Sequence, residues 1–158
     1  MEMEIRRADI SEKEIISNLM QFYFYDFSEF VEAHVEEDGL FKEYPYLDEY
    51  WTKEEHFPYL IISEGRLSGF GLVKAELSGD ERTYSVAEFF VMKKYRRTGI
   101  GKAAAQQIFS MHQGAWEVFQ LINNKPAQIF WQKVIDVFTN GKFTERNDEK
   151  RKTQKFRS

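Results

Sequence analysis

The chain has 158 residues, 42 % of them hydrophobic, a formal net charge of −4 and no cysteine. That length provides for one well-cored domain, residues 1–158, and is short for two. The lack of cysteine excludes a disulfide framework, thiol nucleophiles and thiolate metal sites, and three scattered histidines, His34, His56 and His112, give no metal-ligand spacing, so no metal is expected.

In chain order the elements alternate. "MEIRRAD" reads as a short strand, and Ser11 followed by Glu14 predicts a capping box that opens a helix over 11–30. "YLDEYWTKE" holds a further helical turn or two. Strands follow in "PYLIISE", "LSGFGLVKAEL" and "TYSVAEFFVMKK", an antiparallel meander. Then come helix "GIGKAAAQQIFSMH", strand "WEVFQLI", helix "PAQIFWQKVIDVF", a turn at Asn140-Gly141, and strands in "KFTERND" and "KRKTQKF". The order predicts a mixed α/β (α+β) fold, a central sheet with helices on its faces. No apolar run reaches the eighteen or so residues of a membrane span, and "MEMEIRRADI" has no apolar signal core, so a cytoplasmic protein without a membrane partner is expected.

Charge is distributed unevenly. From Asp26 to Glu55 there are eleven acids against Lys42 and Lys53, while Lys93, Lys94, Arg96, Arg97 and Lys102 crowd one short stretch. Those cations sit in one loop, and others in a C-terminal tail, on a chain of negative net charge, which fits a nucleic-acid partner poorly.

The basic stretch is the junction between a strand ending near Tyr95 and a helix starting near Gly99. A helix N-terminus leaves backbone N–H groups without intrahelical partners, Gly99 and Gly101 allow close approach, and the cations suit phosphate. Three patterns compete. A Walker A loop fails because Ala103 follows Lys102. Gly99-Ile100-Gly101-Lys102-Ala103-Ala104 fits a dinucleotide fingerprint, but only 57 residues follow Gly101, and Glu117 begins the next strand rather than ending it. Arg96-Arg97-Thr98-Gly99-Ile100-Gly101 matches R/Q-x-x-G-x-G/A.

With that third pattern, and with Asn124-x-x-Ala127-x-x-Phe130 downstream, the sequence resembles the GCN5-related N-acetyltransferase (GNAT) family, most clearly from Tyr59 to Phe143. The resemblance implies a mostly antiparallel sheet of six or seven strands flanked by about four helices, and acetyl-CoA as co-substrate. It implies that main-chain groups of Phe90, Val91 and Met92 meet the pantetheine arm, that Arg96, Arg97, Thr98, Gly99, Ile100, Gly101 and Lys102 form the pyrophosphate loop, and that Asn124, Ala127 and Phe130 complete the cofactor side. The activity expected is acetyl transfer to the primary amine of a small cationic acceptor, with a noncatalytic acyl-CoA-binding sensor as the alternative; a homodimer is left open.

An ammonium with a pKa of about 10.4 needs a base before it can attack. Glu88, on the same strand face as Phe90, is the candidate, and Glu76 a second choice. Many family members carry a tyrosine as acid after the phenylalanine of the last helix. Here that residue is Trp131, and no tyrosine follows Tyr95. Protonation of the thiolate is then left to water or an earlier tyrosine, or is not needed. For the acceptor, "QFYFYDFSEF" and "EYPYLDEYW" mix rings with carboxylates and point to Tyr25, Asp26 and Tyr46. Phe22, Tyr25 and Phe30 equally suit the buried face of an amphipathic helix.

Overall fold

A computed structural model describes residues 2–158; Met1 lies outside the described residues. Seven strands, β1 (Met3–Arg7), β2 (His56–Ser63), β3 (Arg66–Ser78), β4 (Glu81–Val91), β5 (Ala115–Leu121), β6 (Thr144–Asn147) and β7 (Arg151–Arg157), form one sheet in the order β1-β2-β3-β4-β5-β7-β6. All neighbours are antiparallel except β4 and β5. The helices are α1 (Lys13–Phe27), α2 (Glu49–Thr52), α3 (Ile100–Met111) and α4 (Lys125–Thr139). The expected order of elements is therefore present, with a parallel step at its centre.

The sheet separates two cores. On one face Ile16, Leu19 and Met20 of α1 and Tyr50 of α2 cover Leu60, Phe70, Leu72 and Phe90. On the other, Ile100, Ala104, Ile108 and Phe109 of α3 and Trp131, Val134 and Ile135 of α4 cover Val73, Val86, Trp116 and Phe156. Alanines at 104 and 105, buried on the sheet side of α3, leave little side chain between helix and strands, which brings the two backbones close.

Helix α1 starts later than Ser11 and Glu14 predict. Asp9 is the N-cap of a short 3-10 turn, Ile10–Glu12, that leads into α1. Its carboxylate accepts from Ser11 N–H at 3.1 Å, and Glu12 Oε1 accepts from Asp9 N–H at 3.0 Å. The box is thus Asp9 with Glu12, and Arg6 fixes Glu12 from β1 at 2.6 Å. Ser11 lies inside the turn and donates to Asp9, so Asp9 takes the capping position that the sequence spacing assigns to Ser11. The phase of α1 differs too. Phe22 and Tyr25 are exposed, and the buried stripe runs through Ile16, Leu19, Met20, Tyr23, Phe24 and Phe27.

A buried histidine gives the fold a pH dependence. His112, at the end of α3, is ringed by Phe57, Tyr59, Tyr84 and Trp116, and its Nε2 lies 2.6 Å from Tyr59 Oη. Burial, with Arg7 and Arg82 nearby, pushes its pKa down to about 4. The unfolded chain binds this proton near pH 6.5 and the folded one does not. Stability is therefore full above pH 6.5 and falls by roughly 2–3 kcal/mol as pH drops toward 4. Urea unfolding of wild type and His112→Asn at pH 7 and pH 4.5 checks this: the difference in stability between the two proteins should shrink at the lower pH.

Candidate active site

The phosphate-type loop is shaped by two left-handed residues. Arg97 has φ 64° and Gly99 φ 88°, bracketing Thr98 between the end of β4 and the first turn of α3. Such a conformation strains a non-glycine residue, and strain of this kind collects at functional sites. The first helical bond of α3 is Ala103 N–H to Gly99 C=O, and no side chain caps the helix. The N–H groups of Ile100, Gly101 and Lys102 therefore have no intrahelical acceptor and point back at the loop with the positive end of the helix dipole. Lys102, Arg97, Lys93 and Lys94 are exposed around it. A Cβ on Gly101 would lie 3.3 Å from Phe130 Cε1 and 3.6 Å from Val91 Cγ2, so this glycine lets α3, α4 and β4 converge.

Strand β4 opens at this end. It pairs with β5 only over Thr83–Ser85, so from Val86 to Val91 it has β3 on one side and no strand on the other. Met92 N–H bonds Ser68 C=O on β3 at 2.8 Å. Alternation along the strand turns the groups of Phe90 toward β3 as well, and those of Phe89 and Val91 toward the opening. Of the three main chains expected to face the cofactor, that of Val91 faces the opening, those of Phe90 and Met92 face β3, and that of Phe89 also faces the opening. The Phe89 ring stacks on Phe130 at 5.9 Å and meets Trp131 edge-on at 5.1 Å. Trp131 is core, against Phe89 and Phe109, and Ala127 packs beside it. Asn124 caps α4 by accepting from Ala127 N–H at 3.1 Å, which leaves its amide nitrogen for any cofactor contact.

A bulge in β4 aims Glu88. Val73 pairs with Val86 but Leu72 with Glu88, so Ala87 is an extra residue. Before it, even-numbered Tyr84 and Val86 face the α3/α4 core; after it, Glu88 and Phe90 face α1. There Glu88 Oε1 accepts from Tyr23 Oη at 2.7 Å, and Tyr44 lies on the same side of the carboxylate. Burial raises the pKa of Glu88, which the two phenols and Lys74 partly offset. The phenols themselves are pushed upward, chiefly by burial and by the Glu88 charge, so they stay protonated and act as donors. Glu76 is exposed at the far end of β3, opposite Thr83.

The acceptor residues named from sequence do not gather here. Tyr25 is 72 % exposed and Tyr46 74 % exposed, each two positions past a tyrosine that is partly buried, Tyr23 and Tyr44. Asp26 instead pairs with Arg96, whose Nε donates to Val91 C=O at 2.9 Å and whose guanidinium lies over the Phe90 ring. Arg96 thus ties α1 to β4 rather than standing in the loop as a free cation. Beside Tyr44 a cleft of about 460 Å³ is lined by Phe24, Phe27 and Phe41 and by Glu32, Glu36 and Glu43, with His34 3.0 Å from Glu32 and Lys42 3.5 Å from Glu36. Among the described residues no cluster of metal-ligating side chains occurs, and no helix is long and apolar enough to cross a membrane.

An uncapped helix N-terminus after a glycine loop is set against a strand whose neighbour has peeled away, an arrangement whose free amides and open strand edge suit an anionic, extended ligand. A family model described as the acetyltransferase (GNAT) family matches residues 16–135, and the chain belongs to that family of acyltransferases. Its fold matches an acetyltransferase from Thermus thermophilus (TM-score 0.70, 10 % identity, 100 % of this chain and 98 % of that one). It also matches a GNAT-family acetyltransferase from Streptococcus agalactiae (0.69, 15 %, 99 % and 95 %). A third match is Arabidopsis thaliana Naa50 in complex with the bisubstrate analogue CoA-Ac-MVNAL (0.67, 12 %, 100 % and 100 %). At these identities the likeness is one of fold. Sequence comparison with curated proteins finds no match.

Proposed function

We propose that the protein transfers the acetyl group of acetyl-CoA to the primary amine of a small cationic acceptor, by direct attack in a ternary complex. The observation that carries this reading is Glu88, a half-buried carboxylate held by the Tyr23 phenol, on the opened stretch of β4 that ends at the anion cradle. The cradle amides from Arg97 to Lys102 would hold the pyrophosphate, and the main chains of Phe89 and Val91 the pantetheine arm as an added strand would be held. Acetyl-CoA supplies a thioester carbon that an amine can attack directly. Val91 N–H faces the opening and can stabilise charge that develops on the carbonyl oxygen. Glu88 removes the ammonium proton, and its raised pKa brings it closer to that task than an exposed glutamate.

The cleft beside Tyr44 supports the acceptor class. Its rings offer π faces and its carboxylates charge, the combination a cationic amine needs. Thiol release from acetyl-CoA in the presence of spermidine, glucosamine or a short peptide with a free amino terminus tests it. Release with spermidine or glucosamine is the expected result. Release with the peptide alone would reassign the acceptor, and tight acetyl-CoA binding without release to any amine would leave a sensor.

A further inference from the structure

Helix α1 meets the opened part of β4 twice from one face. Tyr23 and Asp26 are three residues apart, a spacing that puts both side chains on the same side of a helix. Tyr23 Oη donates to Glu88 at 2.7 Å, and Asp26 accepts from Arg96 Nη2. Arg96 passes that attachment on: its Nε donates to Val91 C=O at 2.9 Å, while Met92 N–H, on the same peptide group, donates to Ser68 C=O at 2.8 Å. The peptide at the end of β4 is thus held from both sides. Phe90 lies between the two attachments, its ring edge-on to Tyr23 at 5.9 Å and its centroid 5.6 Å from the Arg96 guanidinium. Local physics does not explain Asp26. It stands in the last turn of α1, where a negative charge opposes the helix dipole and no basic residue of that turn offsets it. Just past it, Phe30 C=O accepts from Asn123 Nδ2 at 2.9 Å, in the loop that follows β5. The end of α1 therefore runs from the end of β4 to the loop after β5, across the opening between the two strands, with an anchor on each side.

We propose that Asp26 and Arg96 are positioning residues which lock α1 to β4 so that Glu88 and Val91 N–H act on one reacting pair, and that Arg96 serves the strand rather than the diphosphate. The proposal rests on the assignment of Glu88 as base and of Val91 N–H as donor to the thioester carbonyl. The base works on the amine and the N–H on the carbonyl that the amine attacks, so their separation has to match the distance over which attack occurs. A misplacement of about 1 Å in such an arrangement costs on the order of 10²-fold in rate. One helix holds both groups, the base through Tyr23 and the end of β4 through Asp26 and Arg96. Without the Asp26 charge the Arg96 side chain is free to leave Val91 C=O, and the end of β4 loses its support on the open side. Arg96 opens the R-x-x-G-x-G run, yet its guanidinium is already committed to Val91 C=O, Asp26 and the Phe90 ring.

Asp26→Asn keeps the size of the side chain and relieves the charge at the helix end, so its melting temperature should stay close to that of wild type. With an amine that wild type acetylates, its kcat should fall about tenfold. Its Kd for 3′-phospho-ADP, the nucleotide half of the cofactor without the pantetheine arm, should stay within about twofold, because the cradle amides are untouched. Arg96→Lys keeps a charge beside Asp26 but cannot reproduce the planar fork that also reaches Val91 C=O, and should lose kcat to a similar extent. Combining the two substitutions should lower kcat no further than either alone, because Asp26 acts through Arg96. Wild-type kcat in either variant, or losses that multiply in the pair, overturns the proposal. Tighter binding of 3′-phospho-ADP by Asp26→Asn overturns it as well, since the released Arg96 would then be a diphosphate ligand. In each of these cases wild-type acetylation of an amine leaves the functional reading standing. A wild type that acetylates none of the three amines overturns both.

Discussion

Glu88→Gln is expected to lower kcat by at least about 10²-fold, the range that loss of a positioned general base produces. Glutamine keeps the shape and can still accept from Tyr23, so the α1 packing survives, but it cannot take the ammonium proton. Acetyl-CoA affinity should stay within about twofold, because the cradle lies beyond the end of β4 and does not use this side chain. In wild type the acid limb of the profile should lie above the ordinary carboxylate range, since burial raises the Glu88 pKa and activity appears only as it ionises. Steady-state kinetics against pH on both proteins decide it. A variant that keeps wild-type kcat removes Glu88 from the mechanism.

Gly99→Val should act on the opposite term. Gly99 has φ 88°, a conformation that costs a β-branched residue well over 1 kcal/mol, although open space surrounds the position where a Cβ would go. The loop must therefore leave its left-handed geometry, and the amides of Ile100, Gly101 and Lys102 lose their common aim. The Kd for acetyl-CoA should rise about tenfold or more, each tenfold being about 1.4 kcal/mol, while thermal stability changes little because the loop is exposed. Calorimetry with acetyl-CoA and a thermal melt read the two quantities separately. Wild-type affinity in this variant would mean that the loop does not hold the diphosphate.

The parts of this site that could be seen in the sequence are local in the chain. Gly99 and Gly101 mark the cradle because backbone geometry demands them, and Asn124 marks the start of α4 because a cap acts within three residues. What the sequence hid was set by tertiary packing. Nothing in "SVAEFFV" announces that Ala87 is a bulge, yet the bulge decides which core the following residues enter. The segment 31–48 has no periodicity, so Tyr46 looks as good as Tyr44, and only the packing of that segment on α1 turns Tyr44 inward. In α1 the mixed run "QFYFYDF" lets the apolar stripe be drawn through Tyr25 or Tyr23, and contact with Phe70 and Phe90 selects Tyr23. Asp26 and Arg96 are 70 residues apart, and no local rule pairs them.

These placements also bear on the missing tyrosine in α4. Trp131 fills core volume beneath Phe89, while Tyr23 of α1 holds the Glu88 carboxylate on the other face of the sheet. Tyr23 is an earlier tyrosine of the kind left open from sequence, and the acid role is tested by the thiol-release rate of Tyr23→Phe against wild type.

The central claim is that the cradle and the opened strand together hold acetyl-CoA, and calorimetric titration of the wild-type protein with acetyl-CoA tests it most directly. Saturable binding at one site with a micromolar Kd, weakened as salt screens the loop cations, is the predicted result. No heat of binding at protein concentrations well above that range would contradict it.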